Sequence, residues 1–134
     1  MKKIIVISAI ALLCASMVFA FAKKDFAGLK GTWEGTATSG AGVSVNVTLN
    51  IMNDAEPLQA KLTFSNIPPA MKTEFGVQDP TVGDSNDGKL TSTGTIMFTG
   101  SNGFFEITSI DKDKKLKGWG YFKGFKANIT ATKK

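Results

Sequence analysis

Residue types that usually carry enzyme chemistry are scarce in this chain. The sequence contains no His, and its one Cys, Cys14, lies in the apolar segment at the N-terminus. Imidazole is the commonest general base and metal ligand, and the Cys thiolate is a strong nucleophile, so zinc, haem and catalytic-triad chemistry are disfavoured. The remaining candidates for an acid–base pair are three carboxylates, Glu34, Glu74 and Glu106.

Glu34 and Glu106 each stand next to large apolar residues. Trp33 precedes Glu34, and Phe105 and Ile107 flank Glu106. Because successive side chains of a strand point to opposite faces, both carboxylates are expected on the solvent side. The sequence therefore predicts a protein that is not an enzyme and that uses no cofactor and no metal.

Two acidic segments resemble incomplete calcium-binding loops. Asp84–Gly88 is not followed by the Glu that closes a twelve-residue loop, and Asp111–Lys114 is followed by Lys115 where a further oxygen ligand is needed. Asp and Asn beside Gly are typical of hairpin turns, so both segments are predicted to be turns.

The first 22 residues have the composition of a signal peptide. Met1–Lys3 provides a positive start, an apolar run begins at Ile4, and Ala20–Ala22 places small residues at a cleavage site. We predict cleavage after Ala22, with cleavage after Ala20 as the near alternative. Retention as a membrane anchor is the other alternative, because the apolar run is long enough to cross a bilayer.

The mature domain would then span residues 23–134 and lie in the periplasm of a bacterium or outside the cell. Its charge argues against a nucleic-acid partner: the net charge of the whole chain is +5, and all 16 basic residues are Lys. Lys lacks the planar fork with which Arg reads bases and phosphates. Once the signal is cleaved, no integral membrane segment is expected.

Period-two alternation dominates the rest of the sequence. In Val43–Ile51, Leu58–Ser65 and Phe125–Thr132 every second residue is apolar and the residues between are polar or small. This spacing puts one dry and one wet face on a strand, whereas a helix would scatter the apolar side chains. Weaker patterns indicate strands in Thr32–Thr38, Lys72–Val77, Leu90–Thr99, Phe104–Ile110 and Leu116–Phe122.

About eight short strands in a single domain must bury their apolar faces against one another. The predicted fold is all-β, either a small antiparallel up-and-down barrel or a barrel-like sandwich. Gly31-Thr32-Trp33 at the start of the first strand resembles the Gly-x-Trp signature of the lipocalins and related calycin barrels. That resemblance implies that Trp33 closes the narrow end of a barrel, with Lys126, or Lys123 before it, stacked over its ring.

The interior of such a barrel is either hollow or solid, depending on whether its small inward residues gather or interleave with large ones. In the hollow case we expect a small apolar or amphipathic ligand inside. The residues predicted near it are Phe64, Met71, Phe75 and Phe98. The apolar loop Ile67–Met71 would form a lid or a plug over one mouth.

In the solid case the protein would act through its surface, as an inhibitor-like module that binds a protein or a polysaccharide. Trp119 and Tyr121 are predicted to face outward, next to the basic residues Lys115 and Lys117. Lys112 and Lys114 extend this basic cluster along the same hairpin. Exposed aromatic side chains of this kind stack on sugar rings or anchor protein interfaces.

Overall fold

A computed structural model describes residues 20–100, 103–111 and 113–134. Within those residues the chain forms eight antiparallel strands that close into one barrel in the order β1 to β8. The strands are β1 Gly31–Ser39, β2 Ser44–Ile51, β3 Leu58–Ser65, β4 Thr81–Leu90, β5 Ile96–Gly100, β6 Gly103–Ile110, β7 Lys115–Phe122 and β8 Phe125–Lys133. A 3₁₀ turn, Lys23–Asp25, and helix α1, Phe26–Leu29, precede β1, and helix α2, Pro69–Phe75, connects β3 to β4.

The all-β prediction is confirmed, and the barrel is closed rather than split into a sandwich. Each strand pairs with its neighbour in sequence, and β1 pairs with β8, with Trp33 opposite Lys133 and Ser39 opposite Ala127. The alternation of β2, β3 and β8 places their apolar residues inside, where they are buried, and their polar residues outside. A closed barrel also leaves no free strand edge that another chain could extend.

One end of the barrel is closed by the N-terminal elements. Phe26 and Leu29 of α1 are buried there, beside the indole of Trp33. The Trp33 Nε1–H donates to the carbonyl oxygen of Leu29 at 2.8 Å, which satisfies the one polar atom of a side chain that is 1% exposed. The expectation that Trp33 lies at a closed end agrees with this position.

The basic side chain over Trp33 is Lys133, so the expectation for Lys126 or Lys123 is wrong. The Lys133 ammonium lies 5.8 Å from the centre of the Trp33 ring, whereas Lys126 lies 5.3 Å from the ring of Trp119. The reason is strand direction. Because β1 and β8 are antiparallel, the end of β8 meets the start of β1, and Lys126 lies at the far end of the barrel.

The predicted strand Lys72–Val77 is wrong, because Pro69–Phe75 is helical. Proline in the first turn matches the fixed φ of a helix start, and Gly76 ends the helix in the left-handed conformation, with φ of 62°. Met71 and Phe75, four residues apart, share one helical face. The helix-start and helix-end signals outweigh the weak strand pattern of Lys72–Val77.

The predicted turn Asp84–Gly88 is also wrong, since these residues belong to β4. Strand β4 pairs with β3 from Thr81 opposite Phe64 to Gly88 opposite Leu58, and it contains one extra residue between Ser85 and Gly88. This β-bulge accommodates the turn-like residues Asn86 and Asp87 inside a strand. The predicted strand Leu90–Thr99 is correspondingly a hairpin: β4 ends at Leu90 and β5 begins at Ile96.

Several predictions fall outside the described residues. Residues 1–19, which contain most of the predicted signal peptide and Cys14, are among them, and so is Lys112 of the basic cluster. Among the residues that the structure does describe, no helix has the length and apolar character needed to cross a membrane.

Candidate ligand cavity

The half of the barrel nearest α2 contains a cavity of about 190 Å³. Small residues gather around it, and at Gly83 a side chain would extend into open space short of the Phe122 ring. The small lining residues are Ala37, Gly83, Gly100, Gly103, Gly120 and Ala127. The barrel is therefore hollow in this half, while the half near Trp33 is filled by large buried side chains.

Aromatic rings form the floor of the cavity. Phe98 of β5 and Phe105 of β6 are opposite each other in the ladder, and their rings stack with centres 4.5 Å apart at 7°. Leu62 and Ile129 complete the apolar wall. Phe98 is fully buried, so its ring separates the cavity from the packed half of the barrel.

The mouth beneath α2 is covered by a second layer of aromatic side chains. The rings of Phe64 and Phe122 lie 5.6 Å apart, and Phe75 of α2 contacts Phe125 edge-on at 5.8 Å. Met71 of α2 is buried over the same mouth. Between α2 and this layer is a smaller void of about 20 Å³.

The four residues predicted near a ligand thus line two separate spaces. Phe64 and Phe98 line the main cavity, whereas Met71 and Phe75 line the small void under α2. Phe64, Phe122 and Phe125 border both spaces, so rotation of those rings would join them. The structure brings the predicted residues to one region, and their contact with a ligand stays a prediction.

The wall between β4 and β5 differs from the rest of the barrel, because few backbone pairs hold it. The two strands pair only at Lys89 with Met97 and at Leu90 with Ile96. Further along, side chains bridge the strands where backbone bonds would otherwise run. We call this stretch, formed by residues 82–87 and 98–100, the seam; it lines the cavity on one side.

Three side chains hold the seam together. The Asp87 carboxylate accepts the backbone N–H of Thr99 at 2.8 Å and also the Thr99 hydroxyl. The Ser85 Oγ lies 2.8 Å from the Thr99 carbonyl oxygen and 2.8 Å from Asp87 Oδ1. These contacts satisfy both backbone polar groups of Thr99, which the β4 backbone leaves unpaired.

Ser85 also gives the cavity a polar site. It is 6% exposed and lines the cavity together with Asp84 and Thr99, which are solvent-exposed. The cavity is therefore apolar on its floor and on most of its wall and polar at the seam. That distribution suits a molecule with an apolar body and one polar end.

Sequence reasoning missed the seam. Asp84–Gly88 has the composition of a turn, which hides the position of Ser85 and Asp87 inside a strand. The spacing of small residues was a usable signal for a strand. Gly83 and Ser85 are two residues apart, and Gly88 follows after three because of the bulge. Such a pattern is typical of a strand whose inner face lines a narrow interior. In this segment the pattern is masked by the turn-forming residues Asp84, Asn86 and Asp87.

The outer face of β6, β7 and β8 carries a second cluster of aromatic side chains. Phe104 packs edge-on against Trp119 at 5.1 Å and stacks with Tyr121 at 6.1 Å. The Trp119 Nε1–H donates to Glu106 Oε1 at 2.8 Å, and Lys126 lies over the same indole. We call this the outer aromatic cluster; Lys115 and Lys117 are exposed further along β7.

The three candidate carboxylates do not converge. Glu34 is exposed and pairs with Lys134 at 2.9 Å, and Glu74 is exposed on α2. Glu106 lies on the outer face, where its other oxygen, Oε2, accepts the Thr95 hydroxyl at 2.6 Å. Across the described residues, no group of three or more Cys, Asp or Glu side chains is arranged to hold a metal ion.

No family model matches the chain, and neither a curated protein nor a solved structure matches it.

Proposed function

We propose that this chain is an exported, non-enzymatic barrel protein that binds a small apolar or amphipathic ligand in the cavity above Phe98. The observation that carries the proposal is the cavity of about 190 Å³ itself, with its aromatic floor and polar seam. A sequence that needed only a solid core would place large residues at Ala37, Gly83 and Ala127, since voids of this size lower stability.

The volume limits the ligand. An apolar protein cavity of roughly 150 Å³ is known to accommodate benzene, whereas ordinary drug-sized sites span about 300–1,000 Å³. The ligand portion inside this barrel is therefore about the size of one aromatic ring or a short alkyl chain. A larger amphiphile would leave its polar end outside.

The seam is the place where that polar end fits. The Ser85 hydroxyl oxygen lies at the cavity wall, where it can accept a hydrogen bond, and the short β4–β5 ladder makes this the least backbone-bonded side of the barrel. The lid α2 covers the other route, because its Met71, together with Ile67 just before the helix, is buried over the mouth. Access through the seam requires breaking the Thr99 contacts, and access through the lid requires moving these two side chains.

We further propose that the protein binds its ligand in the manner of a lipocalin, inside the barrel. The supports for this are the Gly-x-Trp tripeptide at Gly31–Trp33, the closed eight-stranded barrel and the cation over the Trp33 ring. Export to the periplasm or the outside of the cell, by a cleaved signal peptide, belongs to the proposal as well. With no Arg and no His in the sequence, a nucleic-acid partner forms no part of it.

Filling the cavity tests the proposal. Gly83 lies on the cavity wall, and a Cβ built on it meets only the Phe122 ring, at 3.6 Å. We expect Gly83→Leu to weaken binding of an apolar fluorescent probe by about tenfold or more, equivalent to about 1.4 kcal/mol. Probe titration of the purified exported protein measures this, and native mass spectrometry of the same sample reports any molecule bound from the cell.

Asn50→Leu is the matched control, because it adds the same side chain to the exposed outer face of β2. Probe affinity unchanged by Asn50→Leu and reduced by Gly83→Leu supports an interior site. Equal effects of the two variants would place the probe elsewhere. A wild-type protein that takes up no probe and carries no small molecule would refute interior binding.

The outer aromatic cluster supports a second candidate, a surface that binds a polysaccharide or a protein. Tyr121 is 43% exposed, and Lys115, Lys117, Trp119 and Tyr121 all project from the same face of β7. Exposed aromatic rings beside polar and basic groups suit stacking on sugars. Retention of the protein on insoluble polysaccharide, lost in Trp119→Ala with Tyr121→Ala but kept in Gly83→Leu, would favour this candidate.

A further inference from the structure

Phe21 is part of the folded barrel. Its side chain is 4% exposed and belongs to the same buried core as Phe26 and Trp33. Its backbone N–H donates to the carbonyl oxygen of Gly94, in the β4–β5 turn, at 2.7 Å. Phe21 therefore fills part of the closed end of the barrel with its side chain. Its backbone hydrogen bond also connects the N-terminal segment to the β4–β5 hairpin, which is distant in sequence.

The next residue is also fixed in the fold. The Ala22 N–H donates to Asp25 Oδ2 at 2.8 Å, and the Ala22 carbonyl oxygen accepts the N–H of Asp25 at 2.9 Å. These two bonds cap the turn Lys23–Asp25 that leads into α1. Removing Ala22 would leave that turn without its cap.

The sequence rule for signal peptidase allows two cleavage positions here. Cleavage after Ala22 uses Ala20 and Ala22 as the small residues, and cleavage after Ala20 uses Val18 and Ala20. Cleavage after Ala22 is the better match by side-chain size alone. The fold separates the two, because only cleavage after Ala20 leaves Phe21 and Ala22 in the mature protein.

Ala20 lies against the β4–β5 turn. A Cβ on Gly94 would lie 2.5 Å from the Cβ of Ala20, so the chain passes directly against this glycine. After cleavage at the Ala20–Phe21 bond, the new amino group of Phe21 would still have hydrogens to donate to the Gly94 carbonyl. A charged donor would make that hydrogen bond stronger.

We propose that signal peptidase hydrolyses the peptide bond between Ala20 and Phe21, so that Phe21 is the first residue of the mature protein and seals its closed end. Water supplies the hydroxyl of the new carboxylate on Ala20 and the proton of the new amino group on Phe21. The proposal rests on the proposed export, and it prefers cleavage after Ala20, the alternative that the sequence also allows, to cleavage after Ala22.

The first test is the intact mass and N-terminal sequence of protein exported by bacterial cells that express the full chain. A mature chain that begins at Phe21 supports the proposal. A chain that begins at Lys23 overturns it while leaving export intact. Uncleaved protein overturns it too, and recovery of that protein only from the cytoplasm would in addition refute export.

The second test compares two Phe to Ala substitutions in the same full chain. Phe21→Ala should change the mass of the exported protein and lower its melting temperature by roughly 10 °C, because a buried aromatic ring is lost. Phe19→Ala is the matched control, since residue 19 lies in the segment removed. It should give a mature protein with wild-type mass and melting temperature.

The two substitutions also distinguish cleavage after Ala20 from cleavage after Ala22. If cleavage follows Ala22, both variants yield the wild-type mature chain, with the same mass and the same melting temperature. If Phe21→Ala protein is degraded before it can be purified, the N-terminus of the wild-type protein decides. A retained Phe21 whose replacement leaves the melting temperature unchanged would refute its role as a seal.

Discussion

At the scale of single residues, Trp33 organises the closed end of the barrel. Its indole N–H is bound to the Leu29 carbonyl, and Lys133 lies over the ring while its ammonium donates to the Gly28 carbonyl at 2.9 Å. The first residue of the Gly-x-Trp tripeptide makes this possible. A Cβ on Gly31 would lie 3.0 Å from the Lys133 side chain, so glycine leaves room for its aliphatic stem.

Replacing the two lysines that lie over indole rings should separate their roles. We expect Lys133→Ala to lower the free energy of unfolding by about 1 kcal/mol, because a cation–π contact and a hydrogen bond are lost at the closed end. Lys126→Ala should cost about 0.5 kcal/mol or less, since Lys126 is exposed on the outer face. Urea unfolding followed by Trp fluorescence measures both, and a larger loss for Lys126→Ala would contradict this assignment.

At the scale of elements, α2 is a short lid whose two ends are held differently. At its N-terminal side, the Asp79 carboxylate accepts the backbone N–H groups of Asn66 and Ile67, at 3.2 and 3.0 Å. At its C-terminal side, Gly76 turns the chain in the left-handed region and donates to the Lys72 carbonyl. These contacts hold Met71 and Phe75 over the mouth of the cavity.

The glycine at the end of the lid gives a specific prediction. A Cβ at Gly76 would meet nothing within 4 Å, so the effect of Gly76→Ala comes from the backbone conformation alone. We expect local opening of the lid to become easier by roughly 1 kcal/mol, which is about a fivefold faster hydrogen exchange of amides such as that of Lys72.

Gly40→Ala is the control for the lid variant. Gly40 also has open space around a built Cβ, but its φ is outside the left-handed range. Its replacement should leave the exchange rates of the lid amides as they are. Equal exchange in wild type, Gly40→Ala and Gly76→Ala, measured by nuclear magnetic resonance, would show that Gly76 does not limit lid opening.

At the scale of the whole molecule, the number of backbone pairs that join neighbouring strands varies around the barrel. β1 pairs with β2 over eight positions and with β8 over seven, whereas β4 pairs with β5 at two. Local opening takes place where few backbone hydrogen bonds must break at once. The barrel should therefore open at the seam before it opens anywhere along β1.

Native-state hydrogen exchange tests this order. We expect the Thr99 amide to exchange faster than amides of β1 and β2, and Asp87→Ala to accelerate it by a further factor of about ten, because the acceptor of its hydrogen bond is removed. Asp84→Ala removes a neighbouring exposed carboxylate of β4 and should change the Thr99 rate little. Equal hydrogen exchange rates around the barrel would contradict this order of opening. An effect of Asp87→Ala on the Thr99 rate no larger than that of Asp84→Ala would show that the Asp87 side chain does not hold the seam together.

The sequence by itself determined the all-β class and the inward faces of the most regular strands, and it left a closed barrel and a barrel-like sandwich as alternatives. Strict alternation in β2, β3 and β8 fixes which side chains face inward, because a one-residue shift would expose every apolar group. Strands with one dry face must bury those faces against one another. The outward positions of Trp119 and Tyr121 follow from the same alternation, since parity along the strand sets the face that a residue occupies. The position of Trp33 at a closed end was implied only by the resemblance of Gly31-Thr32-Trp33 to the lipocalin signature.

Only the tertiary structure decided the features that depend on neighbours distant in sequence. Lys133 rather than Lys126 covers Trp33 because antiparallel closure brings the end of β8 to the start of β1. β4 is a strand despite its turn-like residues because β3 pairs with it and a bulge absorbs the extra residue. The barrel is hollow in one half because small residues from six different strands border the same space, and which residues meet depends on strand register, which alternation alone does not specify.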